Sequence, residues 1–197
     1  MSRRRNRRRG GRRGFIMFAV LLILIGLAAG AVMLVNYYYP VRYVELIERY
    51  ADMFDVDPVL VFAIIHAESR FNANAVSRVG ASGLMQIMES TAYWIAPMAG
   101  IEDFSYTDIF DPSINIRLGT YYISTHLERY GDLTVALCAY NAGRGNVERW
   151  LSDPEFSSDG ISLNHIPFPE TRNYVERVNR NMQIYTIILS VRDIINR

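Results

Sequence analysis

Residues 58–69 read PVLVFAIIHAES, and this stretch decides the fold. Every residue from Val59 to Ile65 is apolar. A helix of that composition has no polar face to turn towards water, so it has to be enclosed by other elements. Asp57 and Pro58, just before it, supply an N-cap and a first helical residue. The run ends on Glu68, and no other acidic residue follows until Glu89.

Working outward from this core helix, the pattern stays helical. Val44, Ile47, Ala51 and Phe54 recur at helical spacing and predict a helix over about 42–54. A loop, RFNANAVSRVGASG, follows the core helix, and ESTAYWIA reads as a short helix. Asp111-Pro112 opens a long helix to about Tyr130, DLTVALCAYN makes another, and GNVERWL a short one. Residues 152–169 form a loop with three prolines. The last helix runs from about Thr171 to Ile195, with Tyr174, Val178, Met182, Tyr185, Leu189 and Ile195 along one face. No stretch alternates apolar and polar residues over a convincing length, so strands are minor or absent. The expected class is all-α, with a groove formed by the loops around the buried helix. Cys138 is the only cysteine, which excludes an intramolecular disulfide and leaves stability to the core.

Charge is distributed unevenly along the 197 residues. Eight of the 21 basic residues lie within Arg3–Arg13, and every acidic residue lies beyond position 40. The rest carries 13 arginines against 20 acids, a net of about −7. Phe15 to Val35 then give 21 residues without a charge, enough at about 1.5 Å per residue to cross about 30 Å of hydrocarbon. The arginines hold the N-terminus in the cytoplasm, and Tyr37, Tyr38 and Tyr39 suit the opposite headgroup layer. The expected organisation is an arginine-rich cytoplasmic tail (1–14), a transmembrane signal anchor (15–36), a juxtamembrane segment with the first helix (37–54) and a helical domain (55–197). Ala29-Gly30-Ala31, together with RRGFI at Arg12–Ile16, leaves a cleaved export signal as the alternative. The apolar run continues past that site and exceeds the usual apolar region of a signal peptide, about 7–15 residues, which favours the retained anchor. A basic run beside a spanning helix is a topology signal, so nucleic acid is not an expected partner.

Glu68 falls near the C-terminal end of the enclosed helix. Low dielectric and the exposed helix carbonyls both disfavour an ionised carboxylate there, so its pKa is expected to rise. A carboxyl group that stays protonated near neutral pH suits a general acid donating to a leaving oxygen. A helix-terminal glutamate that turns into water is the competing reading.

Three blocks bear on that choice: Glu68-Ser69 followed by GASGLMQI at Gly80–Ile87, AYNAG at Ala139–Gly143, and PFPETRNYV at Pro167–Val175. Together they resemble the soluble-type, lysozyme-like lytic transglycosylases (SLT domain), enzymes that cut bacterial peptidoglycan. The resemblance implies that Glu68 is the catalytic acid and base. It places Ser77, the backbone of Met85, Gln86, Tyr140, Asn141 and Glu170 among the groups that bind or position the glycan. Two positions depart from the family pattern, Glu89 and Arg144, where proline is usual; the loss there is backbone rigidity rather than chemistry. Glu89 suits the first turn of a helix and is explained by that placement.

Most glycosidases use two carboxyl groups, and none stands between Glu68 and Glu89. The resemblance implies how one suffices. Glu68 protonates the bond between N-acetylmuramic acid and N-acetylglucosamine, the acetamido group assists, and Glu68 then takes the proton of the muramic C6 hydroxyl, leaving a 1,6-anhydro end. The expected protein is a membrane-anchored lytic transglycosylase of a bacterial cell membrane, with peptidoglycan strands as partner and its catalytic domain outside. A muramidase that recruits Asp103, Asp108 or Glu170, and an inactive wall-binding scaffold, are the alternatives. No H-E-x-x-H or C-x-x-C pattern is present, so neither a metal nor a cofactor is expected. Nothing in the sequence specifies an oligomer.

Overall fold

A computed structural model describes residues 4–195; residues 1–3 and 196–197 lie outside the described residues. The chain forms two compact units, one up to Pro40 and one from Val41. The first is a single helix, α1 (Arg4–Tyr38). It therefore begins well before the apolar run, at Arg4, and arginine is a good helix former. Its apolar part, Phe15–Tyr38, is 24 residues long, and none of it is buried within the protein, as a lipid-facing helix requires.

The second unit contains α2 (Val44–Met53), α3 (Pro58–Ser69), α4 (Glu89–Ile95), a 3₁₀ turn (Tyr106–Phe110), α5 (Pro112–Tyr130), α6 (Leu133–Ala142), α7 (Arg144–Leu151) and α8 (Pro169–Ile195). These match the expected helices closely; the 3₁₀ turn was not foreseen. Helix α2, set apart above as juxtamembrane, packs into this unit through Ile47, Tyr50 and Ala51, and the Tyr50 hydroxyl bonds Ser113 Oγ at 2.6 Å.

Helix α3 is the axis. The Asp57 side chain accepts from the Val59 N–H at 2.8 Å, and Leu60 through Ile65 are all buried. Enclosure comes mainly from α8. Phe62 and Phe71 pack against Tyr185, at ring separations of 5.4 and 6.2 Å, and the Asn181 amide donates to the Ala63 carbonyl at 3.2 Å. Tyr174, Val178 and Tyr185 form the buried face of α8. The chain leaves α3 through two successive left-handed residues, Arg70 (φ 51°) and Phe71 (φ 64°). Such conformations are costly for side chains with a Cβ and persist only where packing enforces them; here Phe71 is 2% exposed.

The loop between α3 and α4 contains two isolated bridges, Val76 with Ser82 and Ser82 with Ile87, the only strand-like pairing among the described residues. A buried side chain of α5 organises it. Asn115 accepts from the Met85 N–H at 2.7 Å and donates to the Ser82 and Ile109 carbonyls at 3.1 and 2.8 Å. Gly83 (φ +80°) lies so close that a Cβ there would sit 2.0 Å from the Asn115 amide nitrogen. Gly119 gives similar clearance to Met85, whose sulfur would be 2.3 Å from an added Cβ. Only glycine allows α5 and the loop to approach this closely.

Asn115→Ala leaves a buried N–H and two carbonyls without their partner. It is expected to lower the stability of the body from Val41 onward by about 2–4 kcal/mol in urea unfolding. A loss below about 1 kcal/mol would show that the loop is held by other contacts.

Candidate active site

Glu68 occupies the last turn of α3. Part of its surface remains open to solvent, so it is not sealed in the core, yet protein crowds the carboxyl on most sides. Loss of hydration is the largest effect and lifts its pKa from 4.5 to about 7. Tyr174 acts next and in the opposite direction, as a donor facing the carboxylate. The hydroxyl is buried and forms no other hydrogen bond among the described residues. The positive charge of Arg177 also lowers the pKa, and the negative charge of Glu170 raises it. The nearby cation is thus Arg177 of α8, not the sequence neighbour Arg70, which caps α3 and is exposed.

Two tyrosines flank the acid. Tyr140, near the end of α6, and Tyr174, on α8, have pKa values pushed well up by burial and then by the charge of Glu68. Tyr140 donates its proton to the Met85 carbonyl at 2.8 Å. That bond fixes the ring against the loop.

The other expected residues differ in what they offer. Ser77 is half-buried in the loop. Its oxygen accepts from the Ala81 N–H at 2.9 Å, and its own proton is uncommitted among the described residues. Gln86, at φ 50°, turns its amide nitrogen inward onto the Ala75 and Gly83 carbonyls at 3.1 and 2.8 Å, so only its side-chain oxygen is left to meet a ligand. The Met85 side chain is fully buried, its N–H is held by Asn115 and its carbonyl accepts from Tyr140, so its backbone forms part of the floor beneath the loop. Asn141 accepts from the Thr171 hydroxyl at 2.8 Å, tying the end of α6 to the start of α8. Glu170 is exposed in the first turn of α8, where the helix dipole favours its charge.

Among the carboxylates weighed as a second acid, Asp108 accepts from the Ser105 N–H at 3.1 Å and Asp103 is exposed; of the three, only Glu170 acts on Glu68. Glu89 is the first residue of α4, as its sequence placement implied. No cluster of three metal-ligating side chains occurs among the described residues. A hollow of about 690 Å³ lies at the other end of α3, between α2 and the C-terminal part of α8, and contains none of these residues. Tyr174 and Arg177 are the members that sequence reasoning missed. Tyr174 stood inside the third quoted block but was assigned to the packing face of α8.

An all-α domain whose enclosed central helix ends in a desolvated glutamate, faced by tyrosines from two later helices, belongs to the lysozyme-like class. The family model for the Transglycosylase SLT domain matches residues 45–161, and the chain belongs to that family. A soluble lytic murein transglycosylase of Salmonella typhimurium is 38% identical over 71% of this chain and 22% of its own length. A membrane-bound lytic murein transglycosylase C of Edwardsiella ictaluri is 31% identical over 73% of this chain and 46% of its own. The crystal structure of an inactive mutant of the lytic transglycosylase Slt from Pseudomonas aeruginosa superposes with a TM-score of 0.70 at 34% identity, covering 79% of this chain and 26% of that one. The chain thus spans about a fifth to a half of the length of these relatives. The family model ends at residue 161, before the helix that carries Tyr174 and Arg177.

The raised pKa of Glu68 has a consequence for stability. The protonated form is favoured in the folded state, so the stabilisation is fully present below about pH 4.5 and is lost as pH rises through about 7. Glu68→Gln, which mimics the protonated form, is expected to be more stable than the parent at pH 8.5 by about 2–3 kcal/mol and similar to it at pH 4. Urea unfolding at the two pH values measures this; a constant difference would mean that Glu68 is well hydrated.

Proposed function

We propose that this protein is a membrane-anchored lytic transglycosylase that cleaves the bond between N-acetylmuramic acid and N-acetylglucosamine in peptidoglycan without consuming water. The observation that carries this reading is a single carboxyl group with a pKa near 7. At neutral pH such a group is protonated in about half of the molecules, so it donates to the bridging oxygen and, once ionised, accepts a proton from the same glycan. Glu68 protonates the leaving oxygen, the substrate's acetamido group assists at C1, and Glu68 then takes the proton of the muramic C6 hydroxyl as that oxygen closes on C1. Tyr140 and Tyr174 limit hydration of the acid, Arg177 offsets part of the charge formed on it, and Ser77 offers an uncommitted hydroxyl proton to the bound sugar. Gln86, Asn141 and Glu170 stand along the same loop and helix ends. The relatives' names, which refer to murein transglycosylases, support the assignment.

The body that performs this chemistry begins at Val41, and residues 15–36 hold it at a bacterial cell membrane as a single span. The arginine-rich tail lies in the cytoplasm and the body outside, by the charge asymmetry of the flanks. The relative named as membrane-bound supports attachment.

Mass spectrometry of purified peptidoglycan digested by the protein is expected to find 1,6-anhydromuramoyl ends. Products heavier by one water would mean a hydrolase, and equal inactivity of the parent and Glu68→Gln a binding scaffold. In the active parent, kcat/KM is expected to fall as pH rises beyond about 7, because the acid form is lost. In intact spheroplasts, protease added from outside is expected to digest the body and spare the tail; a protected body would reverse the topology.

A further inference from the structure

Arg144 is not accounted for by the fold. It is the first residue of α7, where the helix's partial positive charge disfavours a cation. It is exposed, and the one ion pair among the described residues joins Arg129 and Glu148 instead. Its guanidinium lies over the Trp94 ring, 5.5 Å from the centroid, and Trp94 is itself 48% exposed. Trp94 in turn stands edge-on to Tyr122 at 6.4 Å, and Tyr122 packs on Tyr140 at 5.2 Å. The charge of Arg144 reaches Tyr122 and His126, opposing the upward shift of the first and adding to the downward shift of the second. An aromatic row therefore leads in two steps from the tyrosine beside Glu68 to an exposed indole carrying an unpaired cation.

Each end of this pair has a defined chemistry. An exposed indole offers a flat apolar face to a pyranose ring. A guanidinium offers a planar fork of donors that matches a carboxylate, and stacking on the indole restricts it before any ligand arrives. An exposed arginine that has no ion-pair partner among the described residues and is stacked on an indole loses less entropy on binding than a free one.

We propose that Trp94 and Arg144 form a recognition element beyond the cleavage point, with the indole supporting a sugar ring and the guanidinium binding a carboxylate carried by the glycan. The inference rests on the reading of the chain as an enzyme of muramoyl glycans and names the feature of that substrate this protein selects. Two sources present the same group: the carboxylates of a peptide stem, and the lactyl carboxylate of a muramoyl residue whose stem has been removed.

Binding separates the proposal from turnover. The full chain carrying Glu68→Gln, in detergent micelles, is titrated with four glycans: stem-bearing muramoyl glycan, the same glycan with its stem carboxylates amidated, stem-stripped glycan with free lactyl groups, and neutral chitin oligosaccharide. Adding Arg144→Ala is expected to weaken binding about fivefold on a carboxylate-bearing glycan and to leave chitin binding unchanged, with Arg144→Lys retaining part of the preference. The preference also shrinks with added salt. Trp94→Ala weakens binding to all four, because it removes the ring support. Loss on the stem-bearing glycan that disappears on amidation identifies the stem; loss confined to the stripped glycan identifies the lactyl group. Equal loss on chitin, no loss on either charged glycan, or no binding to any glycan overturns the proposal. Turnover by the parent chain is scored separately, so a parent that releases anhydro ends while Arg144→Ala binds every glycan normally defeats this inference alone. A parent that cleaves nothing defeats the functional reading, and the charge dependence of binding is still measured.

Discussion

A carboxyl group holds its proton to neutral pH only if the protein removes the water that would stabilise its charge, and the rest of this structure follows from meeting that condition at Glu68. The surroundings must be dry enough to raise the pKa yet open enough on one side to admit a substrate. Placing the group at the end of an enclosed helix satisfies both. The helix body is buried from Leu60 to Ile65, while its last turn emerges where the loop, α6 and α8 meet. Desolvation outweighs the two groups that favour ionisation, Tyr174 and Arg177, and leaves the acid near the midpoint of its titration at neutral pH. Protonation reactions that must run in both directions are best served at that midpoint.

The supports of the site are arranged in layers, each fixed by the one beneath it. Asn115 holds the loop from inside α5, the loop holds the Tyr140 hydroxyl through the Met85 carbonyl, and Tyr140 borders Glu68. Ser69 adds a direct tie, donating to the Leu84 carbonyl at 2.7 Å, so the residue after the acid is bonded to the loop that faces it. These are mostly bonds from side chains to backbone carbonyls. Such bonds specify loop shape without placing further charges near the acid, which would shift its pKa. Strain at Arg70 and Phe71 belongs to the same arrangement: the chain must turn sharply out of α3 to bring the loop back over Glu68.

The outline of the fold and the acid itself were legible in the sequence, because the signals are local. Asp57-Pro58 and Asp111-Pro112 begin helices through their own side chains, and an apolar stretch with no polar face has few solutions other than enclosure. The remainder of the site was less legible. Tyr174 looked like core because it is core: fully buried on the packing face of α8, it acts on Glu68 from within that face. Gln86 was expected to line the groove, but its amide nitrogen is spent inside the loop, a preference set by two carbonyls whose positions no local pattern encodes. The Met85 backbone was expected to line the groove, but that its side chain is buried against Gly119 of a different helix could not be read from any local pattern.

The sequence by itself determined which segments are helical, which one is enclosed, which is apolar enough to cross a bilayer, and that a single acid stands at the end of the core helix. Those properties depend on residue order within one or two helical turns, where backbone preference and hydrophobic period act directly. Only the tertiary structure decided how that acid is tuned. Tyr174 and Arg177 come from about a hundred residues further along, and their effect on a carboxyl group depends on distance and hydration, quantities that do not exist until the helices have packed.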